Sequence, residues 1–421
     1  MTDTATPDGP MLAADGTPLK ASLARALRRE KLRALMLIAP LLVFVAVTFI
    51  APIGNMLVRS VDNSIVPETL PETVVAIQKW DPLSGELPDE SVFAAMIADL
   101  KVASKAKTHT RVGSRLNYEQ PGIASLFRKT GRRVKKFDDS NAKDQLLKAD
   151  KKWGNIEVWQ TIHRFSGEYT SGYFLAAADA EKTAEGVQFL DEDDQIYLYL
   201  FGRTLFLSIT ITVTCLLLGY PIAWILANLP LRTSNLLMIL VLLPFWTSLL
   251  VRTSAWIVLL QQQGVINNTL VWLGVLDDQN RLEMMFNQTG TIIAMTHILL
   301  PFMILPLYSV MKSIPPHYVR AAKSLGATDW VAFWRVYFPQ TVPGIGAGAI
   351  LVFILAIGYY ITPELVGGTS GIFISNRIAY HISSSLNWGL GAALGLILLV
   401  AVLILYAAYD KIVGIDNVKL G

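Results

Sequence analysis

The side chains with the clearest capacity for chemistry are two tyrosines and a carboxylate that end an apolar run near position 360. Tyr359, Tyr360 and Glu364 combine aromatic faces with one negative charge. These groups attract an organic cation through cation–π contacts and charge-assisted hydrogen bonds. They are therefore candidates for contact with a cationic solute. The alternative is that the tyrosines belong to an aromatic belt at a membrane surface and that Glu364 is solvated.

An arginine and a tryptophan in an earlier apolar run are further candidates for the same polar path. Arg252 would be costly facing lipid, so we expect it to face protein or water. The alternative is that its side chain reaches the membrane surface. Trp246 is a candidate for the path, although a tryptophan there also suits packing or an aromatic belt.

The sequence carries none of the common catalytic or metal-binding signatures. No G-x-x-x-x-G-K-[ST], H-E-x-x-H or G-x-S-x-G run occurs, and the 5 histidines are scattered. We predict no catalytic residue, no metal site and no cofactor bound by this chain. Any nucleotide chemistry must then belong to another subunit. The single Cys215 excludes an intrachain disulfide and is expected to be a packing residue.

The loop at 314–343 has the pattern of a docking element. Gly326 suits the left-handed residue that closes a helix, and Thr328 can cap a second helix. Pro339 is expected to stop that second helix. Small and apolar side chains around the hinge would let a partner surface approach closely: Tyr318, Ala321, Ala322, Leu325, Ala327 and Phe333. We predict a helix–glycine–helix docking loop; the alternative is an ordinary connector.

Long apolar elements must hold these candidates in place. The chain is 52% hydrophobic and 16% charged, which excludes an ordinary soluble globule. Runs of about twenty apolar residues are long enough to cross a bilayer. Six spans are predicted, at 34–57, 204–227, 236–260, 291–310, 344–362 and 389–409. Pro221 and Pro244 lie inside spans and remove backbone donors there, which is tolerated where neighbouring groups or a polar cavity satisfy the freed carbonyls.

Charge sets the expected orientation of the spans. Basic residues precede the first span, which the positive-inside rule places in the cytoplasm. Six crossings return the C-terminus to the same side, and the loop at 314–343 is cytoplasmic as well. We predict a cytoplasmic segment at 1–33, a first transmembrane helix at 34–58 and a core of five further helices at 200–421. The net charge of +3 gives no reason to expect a nucleic-acid partner.

The polar insert at 59–199 must then lie outside, in the periplasm of a Gram-negative cell. Apolar residues recur at helical spacing at 92–100 and 156–165, so we predict a mostly helical insert. A basic section lies between them: Lys101, Lys105, Lys107, Arg111, Arg115, Arg128, Lys129, Arg132, Arg133, Lys135 and Lys136. It is a solvated face, a contact for anionic lipid headgroups, or a surface that steers an acidic partner protein.

Four segments carry a family resemblance. They are the loop around Ala321-Ala322 and Leu325-Gly326-Ala327, GYPIA at 219–223, LPFWTS at 243–248, and GYYITPEL at 358–365. The loop resembles the EAA loop of permease subunits of binding-protein-dependent ABC importers, with Arg320 where that family has glutamate. The other three segments resemble the spermidine/putrescine type of this family.

The resemblance implies an all-α polytopic membrane protein of the type I ABC importer permease kind. It places the ATPase contact on these loop residues: Tyr318, Arg320, Ala321, Ala322, Leu325, Gly326, Ala327 and Phe333. The implied partners are a dimer of ATPase subunits that carries ATP and Mg²⁺, a second permease subunit and a periplasmic binding protein, in the bacterial inner membrane. The implied solute is a polyamine. Another small solute, such as an amino-acid derivative or an opine, and a membrane scaffold or sensor are the alternatives.

Overall fold

The computed structural model describes residues 19–138, 141–183 and 186–413. Parts of the segment predicted at 1–33 and of the core predicted at 200–421 therefore lie outside the described residues. The chain is helical, as the all-α prediction requires. Within the described ranges the only strands are Ala180–Lys182 and Val187–Phe189, which form a short antiparallel hairpin that the sequence did not predict.

The chain divides into two compact units at Arg59. The described part of the first unit is one helix made of Leu19–Val45, a π-helical turn at Ala46–Ile50, and Ala51–Val58, and it is apolar from residue 34 onward. The predicted first span, 34–57, lies inside it. No side chain of Leu27–Val58 is buried within the chain. A helix that is apolar on every side requires lipid or another protein around it.

Four apolar helices of the second unit are long enough to cross a bilayer: Tyr197–Asn228, Gln288–Ser313, Asp329–Gly358 and Trp388–Lys411. The predicted spans 204–227, 291–310 and 389–409 lie within them. The first three of these helices pack together around a shared apolar core that includes Cys215. Backbones approach closely there, because a Cβ on Gly348 would lie 2.7 Å from Met303 Sδ.

The predicted third span, 236–260, is not a single helix. Thr247 and Ser248 separate the helix Leu231–Trp246 from the helix Leu249–Leu260. The chain bends there by 97° before running on through Val265–Trp272. Pro244 lies inside the first of these helices, and the break follows three residues later, where Thr247 and Ser248 have ψ of 146° and 141°. The donor missing at Pro244 therefore weakens the helix within one turn of the bend.

The missing donor at Pro221 does not end the helix. Pro221 lies inside the unbroken helix Tyr197–Asn228. The turn on either side of it is packed, because a Cβ on Gly219 would lie 3.1 Å from Met303 and Ala223 is fully buried. Neighbouring helices can accommodate an intrahelical proline in this way.

The predicted fifth span, 344–362, also differs from the structure. Its helix is Phe338–Gly358, and a separate short helix, Ile361–Val366, follows the break at Tyr359 and Tyr360. Ser375 and Asn376, at the start of the helix Ile374–Ser383, explain the break. Their side chains donate to the carbonyl oxygens of Tyr359 and Tyr360 at 2.6 and 2.8 Å, which satisfies acceptors left free where the helix ends.

The insert is a helical bundle with its own apolar core. Its helices are Ile65–Thr69, Pro71–Ile77, Glu90–Ala106, His109–Asn117, Ile123–Arg133, Ala142–Ala149, Ile156–Arg164 and Gly172–Ala177, with 3-10 turns at Val134–Lys136, Lys151–Gly154 and Glu192–Asp194. Trp159 lies at the centre, with ring centroids 4.6 Å from Phe93 and 5.3 Å from Trp153. The helical periodicity predicted at 92–100 and 156–165 is confirmed.

The insert packs against the apolar helices, and Tyr173 and Asp179 make two of the contacts. Tyr173 lies against Gly389, where a Cβ would come within 2.3 Å of the tyrosine ring. Asp179 is 1% exposed and accepts the backbone N–H groups of Tyr197 at 3.1 Å and Leu198 at 2.7 Å. A carboxylate at a helix start satisfies free donors and complements the helix dipole. The insert is therefore packed onto the apolar helices.

The basic section of the insert is not one uniform surface. Arg115 is 4% exposed and pairs with Glu119 at 2.7 Å, so its expected place on a basic face is wrong. It lies on the buried side of its helix, beside Val112 and Leu116. Lys129 pairs with Asp150 at 3.0 Å, and Arg133 donates to the Ala149 carbonyl at 2.9 Å. Arg132, Lys135 and Lys136 are exposed.

Candidate functional site

The loop at 314–343 is an ordered helix–turn–helix. The helix His317–Ser324 closes at Gly326, whose φ is +90°. The N–H of Gly326 bonds to the Lys323 carbonyl, and that of Ala327 bonds to the Ala322 carbonyl, both at 3.0 Å. These two bonds form a Schellman closure, which requires a left-handed residue. The left-handed turn expected at Gly326 is present.

The second helix of the loop begins as expected, at Thr328, whose Oγ1 accepts the Val331 N–H at 3.4 Å. An ion pair between Lys323 and Asp329 links the two helices across Gly326. Both features restrain the angle at the turn.

The stop expected at Pro339 is wrong, because the helix continues into the apolar span. A π-helical turn at Phe333–Tyr337 connects Asp329–Ala332 to Phe338–Gly358. In this turn the Phe338 N–H bonds to the Phe333 carbonyl, five residues back. The changed register leaves Pro339 in the first turn of the following helix, where its missing N–H costs little. The loop is thus a direct extension of a span.

One side of the loop exposes apolar groups. Leu325 is 89% exposed, Trp330 71% and Tyr318 46%. Ala321 and Arg320 are exposed beside them, while Ala322 and Ala327 are half-buried. Exposed apolar groups held on an ordered turn form a surface suited to a partner protein.

Phe333 has a different position from the other loop candidates. It is half-buried and packs against Tyr220 of the helix Tyr197–Asn228, with ring centroids 6.4 Å apart. It also stacks on Tyr337 at 5.8 Å. Tyr220 Oη lies 3.2 Å from Thr341 Oγ1, which ties the two helices together. Phe333 therefore fastens the loop to the packed helices instead of extending the exposed surface.

A second cluster lies at the other end of the helix Phe338–Gly358. The Nδ2 atom of Asn376 donates to Glu364 Oε2 at 2.6 Å and to the Tyr360 carbonyl at 2.8 Å. Asn376 is buried, whereas Glu364 and Tyr360 are exposed. Arg203 donates to the Thr369 carbonyl at 2.7 Å, which places this cluster at the insert end of the apolar helices. The cluster presents one fixed carboxylate beside one open aromatic face.

Arg252 joins this cluster from the helix Leu249–Leu260. Thr253, next to it, has its Oγ1 3.3 Å from Thr362 Oγ1. Arg252 is half-buried, and its Nε has no hydrogen-bond partner among the described residues. That Arg252 faces protein or water, because it would be costly in lipid, stays a prediction.

Trp246 does not join the cluster in the described part of the chain. It ends the helix Leu231–Trp246 at the 97° bend and is 75% exposed. Packing within the chain therefore does not explain this tryptophan.

One residue of the cluster was missed in the sequence. Asn376 holds both Glu364 and Tyr360. Asn376 also accepts the Phe373 N–H at 2.9 Å, as a residue that closes a helix start does. An asparagine three residues after a helix start is a weak signal that indicates a cap and gives no hint of the carboxylate it holds.

The loop and the cluster lie at opposite ends of one helix. Phe338–Gly358 has 21 residues, which corresponds to about 30 Å at 1.5 Å per residue. This length matches the hydrocarbon thickness of a bilayer. The helix therefore connects the loop with Tyr359 and Tyr360, whereas Glu364 lies on the separate short helix Ile361–Val366.

Residues 219–413 match the family described as binding-protein-dependent transport system inner membrane component. The spermidine/putrescine transport system permease protein PotB of Escherichia coli K12 is 36% identical over 227 residues, covering 54% of this chain and 82% of that protein. The chain belongs to this family. PotB of Haemophilus influenzae is 37% identical over 211 residues, covering 50% of this chain and 73% of that protein.

The family assignment allows the loop and the apolar helices to be interpreted as parts of one kind of protein. The chain is a PotB-like permease subunit of an ABC importer and a multi-pass protein of the inner membrane. A bacterial ABC transporter involved in the import of the acidic polysaccharide alginate is also similar, at 20% identity and a TM-score of 0.44, covering 55% of this chain and 81% of that chain. The insert lies before the family match, which begins at residue 219.

Proposed function

We propose that the permease passes a polyamine, such as spermidine or putrescine, across the inner membrane. The observation that carries the proposal is the 36% identity to the Escherichia coli spermidine/putrescine permease over 82% of its length. The cluster at the insert end supports it. Glu364 supplies a carboxylate and Tyr360 an aromatic face that is 46% exposed, and both attract an alkylammonium group. Arg252, Tyr359 and Trp246 are proposed to line the same path.

ATP-driven movement is proposed to enter through the loop at 314–343. Its exposed residues would rest on a separate pair of ATPase subunits that bind ATP and Mg²⁺, and this chain would bind no cofactor itself. The continuous helix Asp329–Gly358 supports this coupling, because a push on Trp330 or Leu325 would be transmitted along the span. Phe333 would carry the same push to the helix Tyr197–Asn228 through Tyr220.

The proposed topology places the loop at 314–343 and the insert on opposite sides of the membrane, because they lie at opposite ends of the apolar helices. Residues 1–33, the loop at 314–343 and both termini would face the cytoplasm, and the insert at 59–199 would face the periplasm. A soluble binding protein would deliver the solute on the periplasmic side, where the cluster around Glu364 opens. A second permease subunit would cover apolar faces that this chain leaves exposed, such as Trp272, which is 83% exposed.

Uptake into proteoliposomes tests the proposal. The chain would be reconstituted with its ATPase, second permease and binding protein, and labelled spermidine, putrescine and an opine would be compared. We expect polyamine uptake that depends on enclosed ATP. Uptake of the opine with no uptake of either polyamine would reject the polyamine and favour the alternative solute class. Failure of an ATPase subunit to co-purify with the chain would reject the coupling.

A further inference from the structure

A polar cavity lies between the insert and the start of the last apolar helix. Its volume is about 570 Å³, within the range of roughly 300–1,000 Å³ that small-ligand sites occupy. Tyr118 and Tyr173 of the insert form one side, and Trp388 and Gly389 form another. Tyr118 Oη donates to the Ser385 carbonyl at 3.4 Å. The cavity is separate from the cluster around Glu364, and none of its residues has a role in the transport proposal.

The charge of the cavity is predominantly positive. Arg59, Arg111 and Arg115 line it together with the carboxylate of Asp62, and Glu119, outside the lining, pairs with Arg115. Asp62 is partly engaged, because its Oδ1 accepts the Ser64 N–H at 3.0 Å. Arg59 lies over the Trp388 ring, 5.2 Å from the centroid. The excess of guanidinium groups favours an anion as the occupant.

Arg115 gives the strongest indication of a ligand. Its side chain is 4% exposed, and its Nη1 pairs with Glu119. Its Nε and Nη2 are buried without a hydrogen-bond partner among the described residues. A buried guanidinium with two unsatisfied donors is costly unless an acceptor meets them. The rings of Phe165 and Tyr173 cover the guanidinium, 5.4 and 4.4 Å from it, so an outside acceptor reaches these donors only when one of the rings shifts. The planar fork then exposed matches the oxygen atoms of a phosphate group.

The tyrosines of the cavity remain neutral at physiological pH. Burial raises the pKa of Tyr118, and it raises the pKa of Tyr173 to about 12, although the nearby Arg115 charge lowers both. The guanidinium of Arg115 lies 4.4 Å from the centroid of the Tyr173 ring. Neutral hydroxyl groups can donate to an anion without repelling it.

The place of the cavity indicates the source of the anion. Trp388 begins the apolar helix Trp388–Lys411, and a tryptophan at the end of a span marks the level of the lipid headgroups. We propose that this cavity binds a phosphate group, carried by the headgroup of an anionic phospholipid, between Arg115 and the two more open arginines, Arg59 and Arg111. A lipid in this place would fasten the insert to the membrane end of the last helix.

Thermal unfolding with added lipid tests the site. The full chain, with any subunits that co-purify, would be stripped of lipid in detergent and titrated with phosphatidylglycerol, phosphatidylethanolamine or glycerol phosphate. We expect phosphatidylglycerol to raise the Tm at a lower concentration than phosphatidylethanolamine. Arg111→Gln should raise the half-effective concentration of phosphatidylglycerol about tenfold, because a charge-assisted contact is lost.

Two further variants keep the test decisive. Arg128→Gln removes an exposed arginine of the insert outside the cavity and should bind like the parent. Arg115→Lys keeps the charge beside Glu119 but loses the fork, so binding should weaken. If this variant does not fold, Arg111→Gln still decides, because Arg111 is exposed. Equal stabilisation by glycerol phosphate, with the same dependence on Arg111, would support the phosphate site but reject lipid as its source. An identical phosphatidylglycerol response in the parent and Arg111→Gln would overturn the site.

Discussion

At the scale of single residues, Glu364 is held as a fixed charge and is not simply solvated. Asn376 Nδ2 donates to its Oε2 at 2.6 Å, so the carboxylate points in one direction while remaining exposed. Glu364→Gln keeps the acceptor for Asn376 and removes the charge, so folding should survive. A partly hydrated carboxylate–ammonium contact contributes on the order of 1 kcal/mol, which is several-fold in apparent affinity. We expect the transport curve in proteoliposomes with saturating binding protein to shift by that factor.

The chain offers a matched control for Glu364. Glu283 is also exposed and accepts an amide donor, from Gln262 at 3.1 Å. Glu283→Gln should leave the transport curve unchanged. Binding-protein affinity should not change in either variant, because that site is on another chain. If Glu364→Gln gives the same curve as the parent, Glu364 has no part in admitting a cation.

Gly326 has a backbone conformation that restricts which residue can stand there. Its φ of +90° is unfavourable for any side chain, although a Cβ would meet nothing within 4 Å. Gly326→Val should therefore strain the backbone without a steric clash, by about 1–2 kcal/mol. We expect solute-stimulated ATPase activity and uptake to collapse while membrane insertion persists.

Gly326→Asn separates backbone strain from loss of the glycine itself. Asparagine tolerates a left-handed backbone better than valine does, so it should retain most of the coupling. Normal stimulation of the ATPase in Gly326→Val would show that the turn does not transmit movement.

At the scale of elements, the loop has two parts: an exposed surface, and a side chain that packs against a neighbouring helix. Trp330 is 71% exposed, whereas Phe333 is half-buried against Tyr220. Trp330→Ala should weaken co-purification of the ATPase, because partner contact is lost. Phe333→Ala should leave co-purification intact but reduce solute stimulation of the ATPase several-fold, since the loop is no longer fixed to its neighbouring helix. Equal losses of co-purification in both variants would contradict this division.

The helices themselves were predictable because apolar length and turn chemistry are local properties. The Gly326 turn and the Thr328 cap follow from their own sequence, and both are present. The breaks near Tyr359 depend on Ser375 and Asn376, which are distant in the sequence. No local pattern could place those donors. The π-helical turn that carries the helix past Pro339 was likewise not predictable, since a proline alone indicates a stop.

The same limit applies to Arg115. Its neighbours in the sequence are basic, which predicted a charged face. Its burial depends on packing that brings Phe165 and Tyr173 over the guanidinium. Composition gives the charge of a segment, but the tertiary fold decides which of its charges reach solvent.

At the scale of the whole molecule, the insert is the part for which the family match gives no role. Its exposed basic residues Arg132, Lys135 and Lys136 are proposed to steer an acidic lobe of the binding protein. Arg133 is excluded from the test because it donates to the Ala149 carbonyl. Reversing the other three to Glu should slow association of the binding protein with the reconstituted importer, measured by stopped-flow fluorescence.

The ionic strength of the solution distinguishes steering from contact. Charges screened over about 10 Å at 0.1 M salt lose their long-range attraction, so the difference in association rate between the triple variant and the parent should shrink as salt rises. The dissociation rate should change little, because charges at the rim of an interface act mainly on encounter. Lys79→Glu changes an exposed lysine elsewhere on the insert and should associate like the parent. Equal rates for the triple variant and the parent at low salt would mean that these residues form an ordinary solvated face, and the insert would then act through its packing against the last helix.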